Sequence, residues 1–431
     1  MKNKAISNLF VPLAVVISLM FFWNFCRNIN DILIPHLKRS CQLNDFESSL
    51  VQSAFFGAYF LISLPAGYFI GKYGYRNGMI VGLLCAALGA ALFYPAAITR
   101  DYPLFLGALF IMAAGFTFLE VTVTPYISRL GPEHDASSRL SFAAAVGSLG
   151  AVAGPYAGAH FLLSETEMSE TAIQQLTPAA LETFLNQEAH MVIKPYLILA
   201  ILFLLVALVV KLIHLPEIKA ETLQRAGRLS EVLKSKHTVL GVLAVFAYLG
   251  AEVGLVSFFI RYAKSLNIAG LTEKDAAVFI SFYMLLVLIG RVSGAYLLKK
   301  IQPQQALLFC TVIACLLVVT AFLTGGYLSL YAITAIGLFT AIMYPVIFTL
   351  SIKKLGGLTK VASSLLIMGC VGGALVPPLM GYVSDQSAIQ YAFLVPLICF
   401  VYVGYYAVSG YKSVEKPVLK DDAAGTELKT E

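Results

Sequence analysis

The sequence predicts an all-α integral membrane protein with twelve transmembrane helices. Of its 431 residues, 59% are hydrophobic and only 13% are charged, and the mean hydropathy is +0.81. A chain this apolar cannot cover itself with a polar surface in water. Hydrophobic runs of about 20 residues recur along its whole length, as an α-helix needs to cross a hydrocarbon core of about 30 Å.

The hydrophobic runs form two sets of six. The first set lies near residues 10–37, 49–70, 77–99, 103–128, 139–163 and 191–214, and the second near 238–262, 274–298, 304–324, 327–350, 360–382 and 388–410. The polar segments predict an N-terminal six-helix bundle at 1–215, a cytoplasmic linker at 216–237, a C-terminal six-helix bundle at 238–410 and a disordered cytoplasmic tail at 411–431. The first run has a polar middle and no cleavage pattern, so we expect a retained span and not a signal peptide.

The distribution of charge predicts the orientation in the membrane. Lys and Arg collect in every second loop, at positions 72, 76, 129, 139, 211, 219, 225, 228, 234, 236, 299, 300, 353, 354 and 360. The loop from Ser164 to His190 instead holds five Glu and no Lys or Arg, while Lys38 and Arg39 are a local exception. By the positive-inside rule both termini face the cytoplasm, in a cell inner (plasma) membrane. This pattern explains the net charge of +6 without a nucleic-acid partner.

Three carboxylates interrupt the predicted spans: Asp31, Glu120 and Glu252. An ionised carboxylate in hydrocarbon costs several kcal/mol or more, so such a group faces a cavity, pairs with a cation or carries a proton. For Asp31 and Glu120 we favour a functional role. For Glu252, and for Arg27 as a possible counter-charge, a functional role and a purely structural ion pair between helices stay equally open.

The two sets of runs resemble each other in sequence. Gly150–Gly158 matches Gly373–Gly381 in its spacing of glycine and proline, and Thr124-Pro125 resembles Tyr344-Pro345. Two six-helix halves repeated in parallel about an axis along the membrane normal are the architecture of the major facilitator fold. In that architecture the substrate lies midway through the bilayer, between the halves.

Nearly all twelve runs carry motifs that resemble a narrower group, the fucose-galactose-glucose:proton symporter family. The most specific are Asn28–Pro35, Gln52–Phe60, Pro65–Gly67, Ala91–Ala97, Leu119–Glu120, Leu130–Glu133, Ile260–Tyr262, Gly290–Arg291 and Tyr344–Pro345. The resemblance implies proton coupling by carboxylates in the first and fourth helices, which Asp31 and Glu120 match. Where fucose-type members carry fifth-helix amides, this chain has Ala144 and Gly147.

The polar side chains at predicted membrane depth suggest separate residues for proton coupling and for sugar binding. Glu120 has no basic residue within a helical turn and is the predicted proton carrier, whereas Asp31 lies one turn from Arg27 and is expected to stay ionised unless the fold separates the two. Asn28, Asn30 and Gln52 are predicted to hold a polyhydroxylated ring, the alternative being hydrogen bonds between helices.

Aromatic residues are less informative in this sequence. Trp23, the only tryptophan, is equally suited to stack on a sugar and to anchor the chain at the membrane interface, and Tyr344 is a weaker candidate for the binding site.

Together these features predict a secondary active transporter that imports a neutral hexose of the glucose, galactose or fucose class with a proton. A drug/proton antiporter on the same fold, a non-transporting sugar sensor, a polytopic membrane enzyme, sodium coupling and facilitated diffusion stay as alternatives. The sequence has no phosphate-binding loop and no metal cluster, so we expect no cofactor, no metal site and no enzymatic activity. We expect membrane lipid as a partner and a functional monomer.

Overall fold

The computed structural model describes residues 2–130, 136–162, 175–213, 215–216, 229–298, 300–353, 355 and 358–412. Twelve helical segments in these residues are long and apolar enough to cross a membrane. The chain is therefore a multi-pass membrane protein, as the sequence predicted. The bounds of spans 1 to 12 are Val11–Ser40, Asp45–Tyr73, Tyr75–Thr99, Tyr102–Ile127, Phe142–Leu162, Pro178–Leu212, Lys236–Ser265, Glu273–Gly294, Pro303–Leu323, Gly326–Ser351, Leu365–Gln386 and Ile389–Gly410.

Some helices extend beyond these spans, and some spans contain several helices. The helices of spans 1, 4, 5 and 8 cover Lys2–Ser40, Tyr102–Arg129, Ala136–Leu162 and Glu273–Leu297. Span 6 consists of Pro178–His190 and Ile193–Leu212, and span 10 of Gly326–Thr340 and Met343–Ser351. The helices around span 11 are Thr359–Met368, a 3-10 turn at Gly369–Val371 and Gly372–Gln386, and those of span 12 are Ile389–Ala392, Leu394–Tyr405 and the π-helix Tyr406–Gly410.

Span 6 begins earlier than the sequence predicted. The second part of the acidic loop, from Pro178 to His190, is helical because Thr177 caps it and proline occupies its first turn. A short helix at Leu229–Leu233 precedes span 7. Residues 217–228 of the predicted linker and residues 413–431 of the predicted tail lie outside the described residues, so the division into two bundles stays a prediction.

Small residues bring the backbones of corresponding helix pairs close together in the two sets of spans. A Cβ on Gly150 of span 5 would lie 2.3 Å from the carbonyl oxygen of Phe21 in span 1, and one on Gly154 would lie 2.6 Å from that of Phe25. In the second set, a Cβ on Gly372 would lie 2.0 Å from the carbonyl oxygen of Phe246 in span 7. The glycine motif of span 5 thus has a packing role in this structure.

The N-terminal spans 1 to 6 and the C-terminal spans 7 to 12 are joined at one end, which we call the Asp45 end. Arg261 of span 7 is buried and donates to Asp45 Oδ1 at 2.9 Å and to Ser48 Oγ at 2.8 Å, both in span 2. Asp385 of span 11 accepts from the backbone N–H groups of Asp45 and Phe46 at 2.8 Å each. These contacts hold the two sets of spans together at the Asp45 end.

Further ion pairs surround this junction. Arg39, at the end of span 1, pairs with Glu273 at the start of span 8 and lies 3.7 Å from Glu188 of span 6. Lys38 pairs with Asp45 at 2.6 Å. The sequence exception of two basic residues on the acidic side therefore has a structural explanation, because both bind carboxylates there.

Candidate functional site

One face of span 1 presents a row of polar side chains. Asn24, Arg27, Asn28 and Asp31 follow the spacing of three and four residues that places side chains on the same side of an α-helix. Asn24 and Asn28 each donate to the carbonyl oxygen four residues earlier, at 2.8 Å, which fixes the orientation of both amides. The face therefore carries a fixed pattern of polar groups.

This face lines a cavity between the N-terminal and the C-terminal spans. The cavity has a volume of about 770 Å³, part of it open to solvent, and its polar lining consists of Asn24, Arg27, Asn28, Asn30, Asp31, Gln52, Ser148, Glu252 and Arg291. The sequence-predicted residues Asn28, Asn30, Asp31, Gln52, Glu252 and Arg27 are thus brought together.

Three of these residues are connected by side-chain hydrogen bonds. Gln52 Nε2 donates to Asp31 Oδ1 at 2.7 Å, and Asn30 Nδ2 donates to Gln52 Oε1 at 3.4 Å. Asn30 and Gln52 are each 2% exposed. Asn30 Oδ1 is buried and has no hydrogen-bond partner among the described residues.

Arg27 lies among the three carboxylates. Its guanidinium interacts electrostatically with Glu120 of span 4 and with Glu252 of span 7, and Asp31 is a third partner. Its Cζ atom is 5.2 Å from the ring centroid of Phe56 and 5.8 Å from that of Tyr59. The ion pairs within 4.0 Å found in the described part of the chain all lie at the Asp45 end, so Arg27 forms a close pair with none of the three acids.

Arg291 connects the two sets of spans beside the cavity. Its Nη1 atom, in span 8, donates to Ser148 Oγ in span 5 at 3.1 Å, and its charge interacts with Glu252. A bond across this boundary has to break when the two sets of spans move apart. Arg291 thus lines the cavity and also forms a hydrogen bond that is present only while spans 5 and 8 lie close together.

The other predicted site residues lie outside the lining of this cavity. Glu120 is exposed, and its electrostatic partners are Arg27 and the hydroxyl of Tyr59. Tyr344 is partly buried, with its ring centroid 6.4 Å from that of Tyr248. Trp23 is 3% exposed and packs in the hydrophobic core. Arg27 is the link between the cavity and Glu120.

Sequence reasoning missed Asn24, Ser148 and Arg291 as cavity residues. Asn24 carried a usable signal, because it lies three residues before Arg27 and seven before Asp31 on one helix face. Arg291 also carried a signal, as a charged residue inside a predicted span. Ser148 carried none, since its contact with Arg291 depends on how spans 5 and 8 meet.

The chain matches the family described as Major Facilitator Superfamily over residues 14–377. It is 39% identical over 396 residues to the glucose/galactose transporter of Brucella abortus biovar 1 (strain 9-941), covering 92% of this chain and 93% of that protein. It is 37% identical over 405 residues to the L-fucose-proton symporter of Escherichia coli (strain K12), covering 92% of each protein.

Solved structures agree with these relationships. The chain resembles the major facilitator superfamily transporter FucP in its outward conformation, with a TM-score of 0.68 and 37% identity over 93% of this chain and 98% of that one. The nucleoside transporter NupG, at 13% identity and a TM-score of 0.68, shares the fold over 93% of this chain and 100% of its own. The chain belongs to the major facilitator superfamily and, within it, to the fucose-galactose-glucose:proton symporter family.

Proposed function

We propose that this chain is a secondary active transporter that imports a neutral hexose together with a proton by alternating access. The observation that carries the proposal is the cavity between the two sets of spans, in which acids, amides and two arginines meet at membrane depth. Its relatives are named as a glucose/galactose transporter and an L-fucose-proton symporter. The chain is a transporter and not an enzyme, and drug/proton antiport and sugar sensing are not favoured.

The lining of the cavity suits a neutral sugar. Amides offer both donors and acceptors to hydroxyl groups, and arginine adds donors in a planar fork. Asn24 and Asn28 present fixed amides, and Phe55 and Phe56 add apolar surface to the same cavity. A ring with hydroxyls around its edge and apolar faces can satisfy both kinds of surface.

The closed Asp45 end gives the direction of access in this state. By the positive-inside prediction this end is periplasmic, with both termini cytoplasmic and the protein in the inner membrane. The contacts of Arg261 and Asp385 with Asp45 then close the outer entrance. The structure would correspond to a state open to the cytoplasm, from which sugar and proton are released.

Asp31 and Glu120 are the proposed proton-coupling residues, with Asn28, Asn30, Gln52 and Glu252 in the sugar site. Tyr344 and Trp23 would act only indirectly, because neither lines the cavity. Arg27 is the proposed counter-charge, since it lies between Glu120 and Glu252. We further propose that the chain works as a monomer in contact with membrane lipid, without a cofactor or a nucleic-acid partner.

Sugar-induced proton movement tests this proposal. Cells that express the protein in an unbuffered medium should cause alkalinisation when a transported hexose is added, because each sugar enters with a proton. D-glucose, D-galactose, L-fucose and N-acetyl-D-glucosamine form the panel, and L-glucose serves as the control sugar. Uptake without a pH change would point to sodium coupling or facilitated diffusion, and no uptake of any hexose would reject the proposal.

Replacing Asp31 by Asn should impair both binding and transport. Asn keeps the shape of the side chain but removes the charge to which Gln52 donates at 2.7 Å, and a hydrogen bond to a charged group contributes about 1.5–3 kcal/mol. We expect the affinity for sugar in exchange assays to fall about tenfold or more. Wild-type exchange and accumulation in this variant would remove Asp31 from the site.

A further inference from the structure

We propose that Asn30 and Gln52 form a reversible hydrogen-bond relay that transmits the protonation state of Asp31 to the sugar site. The relay rests on the proposed function and deepens it, because it gives Gln52 a positioning role between the proton and the sugar. The chain of hydrogen bonds runs from Asn30 through Gln52 to Asp31.

The ionised carboxylate of Asp31 determines which way the hydrogen bonds of the relay point. Gln52 Nε2 donates to Asp31 Oδ1, so this oxygen is an acceptor and carries no proton in this arrangement. The carbonyl oxygen of Gln52 then accepts from Asn30 Nδ2. Asn30 Oδ1 is left as a buried acceptor with no partner in the part of the chain that the structure describes, and its residue lines the cavity.

An unpaired buried acceptor is costly, and a sugar hydroxyl that donates to Asn30 Oδ1 would remove that cost. Asn30 Oδ1 is therefore the position where a sugar proton donor is required while Asp31 is ionised. Asn24 and Asn28 differ from Asn30, because each of their amides donates to a backbone carbonyl and cannot rotate without losing that bond.

Protonation of Asp31 reverses the relay. A proton from water binds Asp31 Oδ1, which then donates to the carbonyl oxygen of Gln52 once this amide has rotated by half a turn. Gln52 Nε2 now donates to Asn30, whose amide rotates in the same way and presents Nδ2 where Oδ1 was. Release of the proton to water restores the first arrangement, and no backbone hydrogen bond is lost in either direction.

The charges around Asp31 come from several helices. Arg27 lies on the same helix, Glu252 on span 7 and Tyr283 on span 8, and all three interact with Asp31. Glu120 of span 4 acts on Arg27, and Arg291 of span 8 acts on Glu252. These groups set the pH at which the relay reverses, but the hydrogen bonds of Asn30 and Gln52 determine what the sugar meets.

Fluorinated sugars can detect the reversal, because a fluorine atom accepts a hydrogen bond weakly and cannot donate one. We would reconstitute the full-length protein in liposomes and measure half-saturation of sugar exchange at about pH 8 and about pH 6. The probes are D-glucose, D-galactose and their analogues with a single fluorine in place of each hydroxyl in turn. We define the penalty for fluorine as the half-saturation concentration of the fluoro-sugar divided by that of the parent sugar. At one ring position this penalty should fall about fivefold on acidification, which corresponds to the free energy of one hydrogen bond.

Two variants isolate the relay. Gln52→Met keeps the length of the side chain but removes its amide, so the penalty for fluorine should no longer depend on pH. Asn24→Leu is the matched control, because it removes an amide of the same cavity that does not contact Asp31. It should weaken exchange but keep the pH-dependent difference between sugar and fluoro-sugar.

The outcomes separate this inference from the proposed function. A penalty for fluorine that is independent of pH at every position, in a wild-type protein that exchanges the parent sugar, would reject the relay alone. A pH-dependent penalty that persists in Gln52→Met would reject it as well. If none of the hexoses is exchanged, the proposed function itself fails. The comparison in the wild-type protein needs no variant, so poor folding of either variant leaves the inference testable.

Discussion

Replacing Glu120 by Gln is expected to abolish the uphill accumulation of sugar while leaving sugar exchange measurable. Gln has the shape of Glu and can form hydrogen bonds, but it cannot bind and release a proton. Glu120 has an exposed side chain within span 4, and its charged partner Arg27 lines the cavity between the two sets of spans. The Glu120→Gln variant should therefore still move sugar across the membrane, but the proton gradient should no longer drive that movement.

The size of this effect follows from the membrane potential. One positive charge gains about 2.3 kcal/mol per 100 mV, which corresponds to a sugar gradient of about 50-fold at equilibrium. In vesicles with that potential the Glu120→Gln variant should reach a ratio of about 1. Radiolabelled sugar uptake with an imposed potential measures the accumulation, and counterflow in the same vesicles measures the exchange.

Glu182→Gln is the matched control, because Glu182 is an exposed residue of the helix Pro178–His190. It should accumulate sugar like the wild type. Equal accumulation in the Glu120 and Glu182 variants would show that the proton is carried elsewhere, and Asp31 or Glu252 would then be tested in the same way. Loss of exchange as well as accumulation in Glu120→Gln would instead place Glu120 in sugar binding.

The sequence predicted the transmembrane helices because their signal is local. About 20 apolar residues are needed to cross the bilayer, and each run shows this without reference to the others. The helix Pro178–His190 was missed for the same reason, since its polar composition indicates a loop. Only the cap at Thr177 and the proline after it indicate a helix start, and neither predicts its length.

The candidate site was partly predictable. Asn28, Asn30 and Asp31 lie within one short segment, and a polar segment inside an apolar helix is visible in sequence. The hydrogen bonds of Gln52 to Asp31 and of Arg291 to Ser148 join different helices, so they depend on packing that periodicity does not determine. Trp23 illustrates the limit, because a large aromatic residue within a span can face either the core or a cavity.

The repeated glycines were visible in sequence, but their contacts were not. Gly381 is the last residue of the second-half motif, and close packing is a reasonable expectation for such a glycine. Its partner is the start of span 2 at the Asp45 end, where the two sets of spans meet. This contact exists only in a state that is closed at this end, so it leads to a prediction about the transport cycle.

The substitution Gly381→Ala is expected to prevent closure of the Asp45 end and to slow transport by at least about tenfold. A Cβ on Gly381 would lie 2.6 Å from the carbonyl oxygen of Asp45 and 2.7 Å from the Cα of Phe46. These backbone atoms are held by Asp385, which accepts from both N–H groups, so they cannot shift without losing those bonds. Overpacking of this kind costs about 1–3 kcal/mol and raises the energy of the closed state alone.

The change in population can be measured with a cysteine at Ser48, which is fully buried at the Asp45 end. Labelling of Ser48→Cys by a membrane-impermeant thiol reagent, in a background where Cys41 is replaced by serine, should be slow in the parent. It should become about tenfold faster with Gly381→Ala, because this end is then open for most of the time. The same reagent applied from the opposite side distinguishes this opening from general unfolding.

Gly57→Ala provides the matched control, because a Cβ on Gly57 of span 2 would meet no atom within 4 Å. Both substitutions replace glycine within a helix, where alanine is favoured by about 1 kcal/mol, so neither should weaken its own helix. Gly57→Ala should keep both transport and slow labelling at position 48. Normal transport in Gly381→Ala would mean that the contact between span 11 and the start of span 2 is not needed for closure. Fast labelling with normal transport would mean that closure at this end does not limit the cycle.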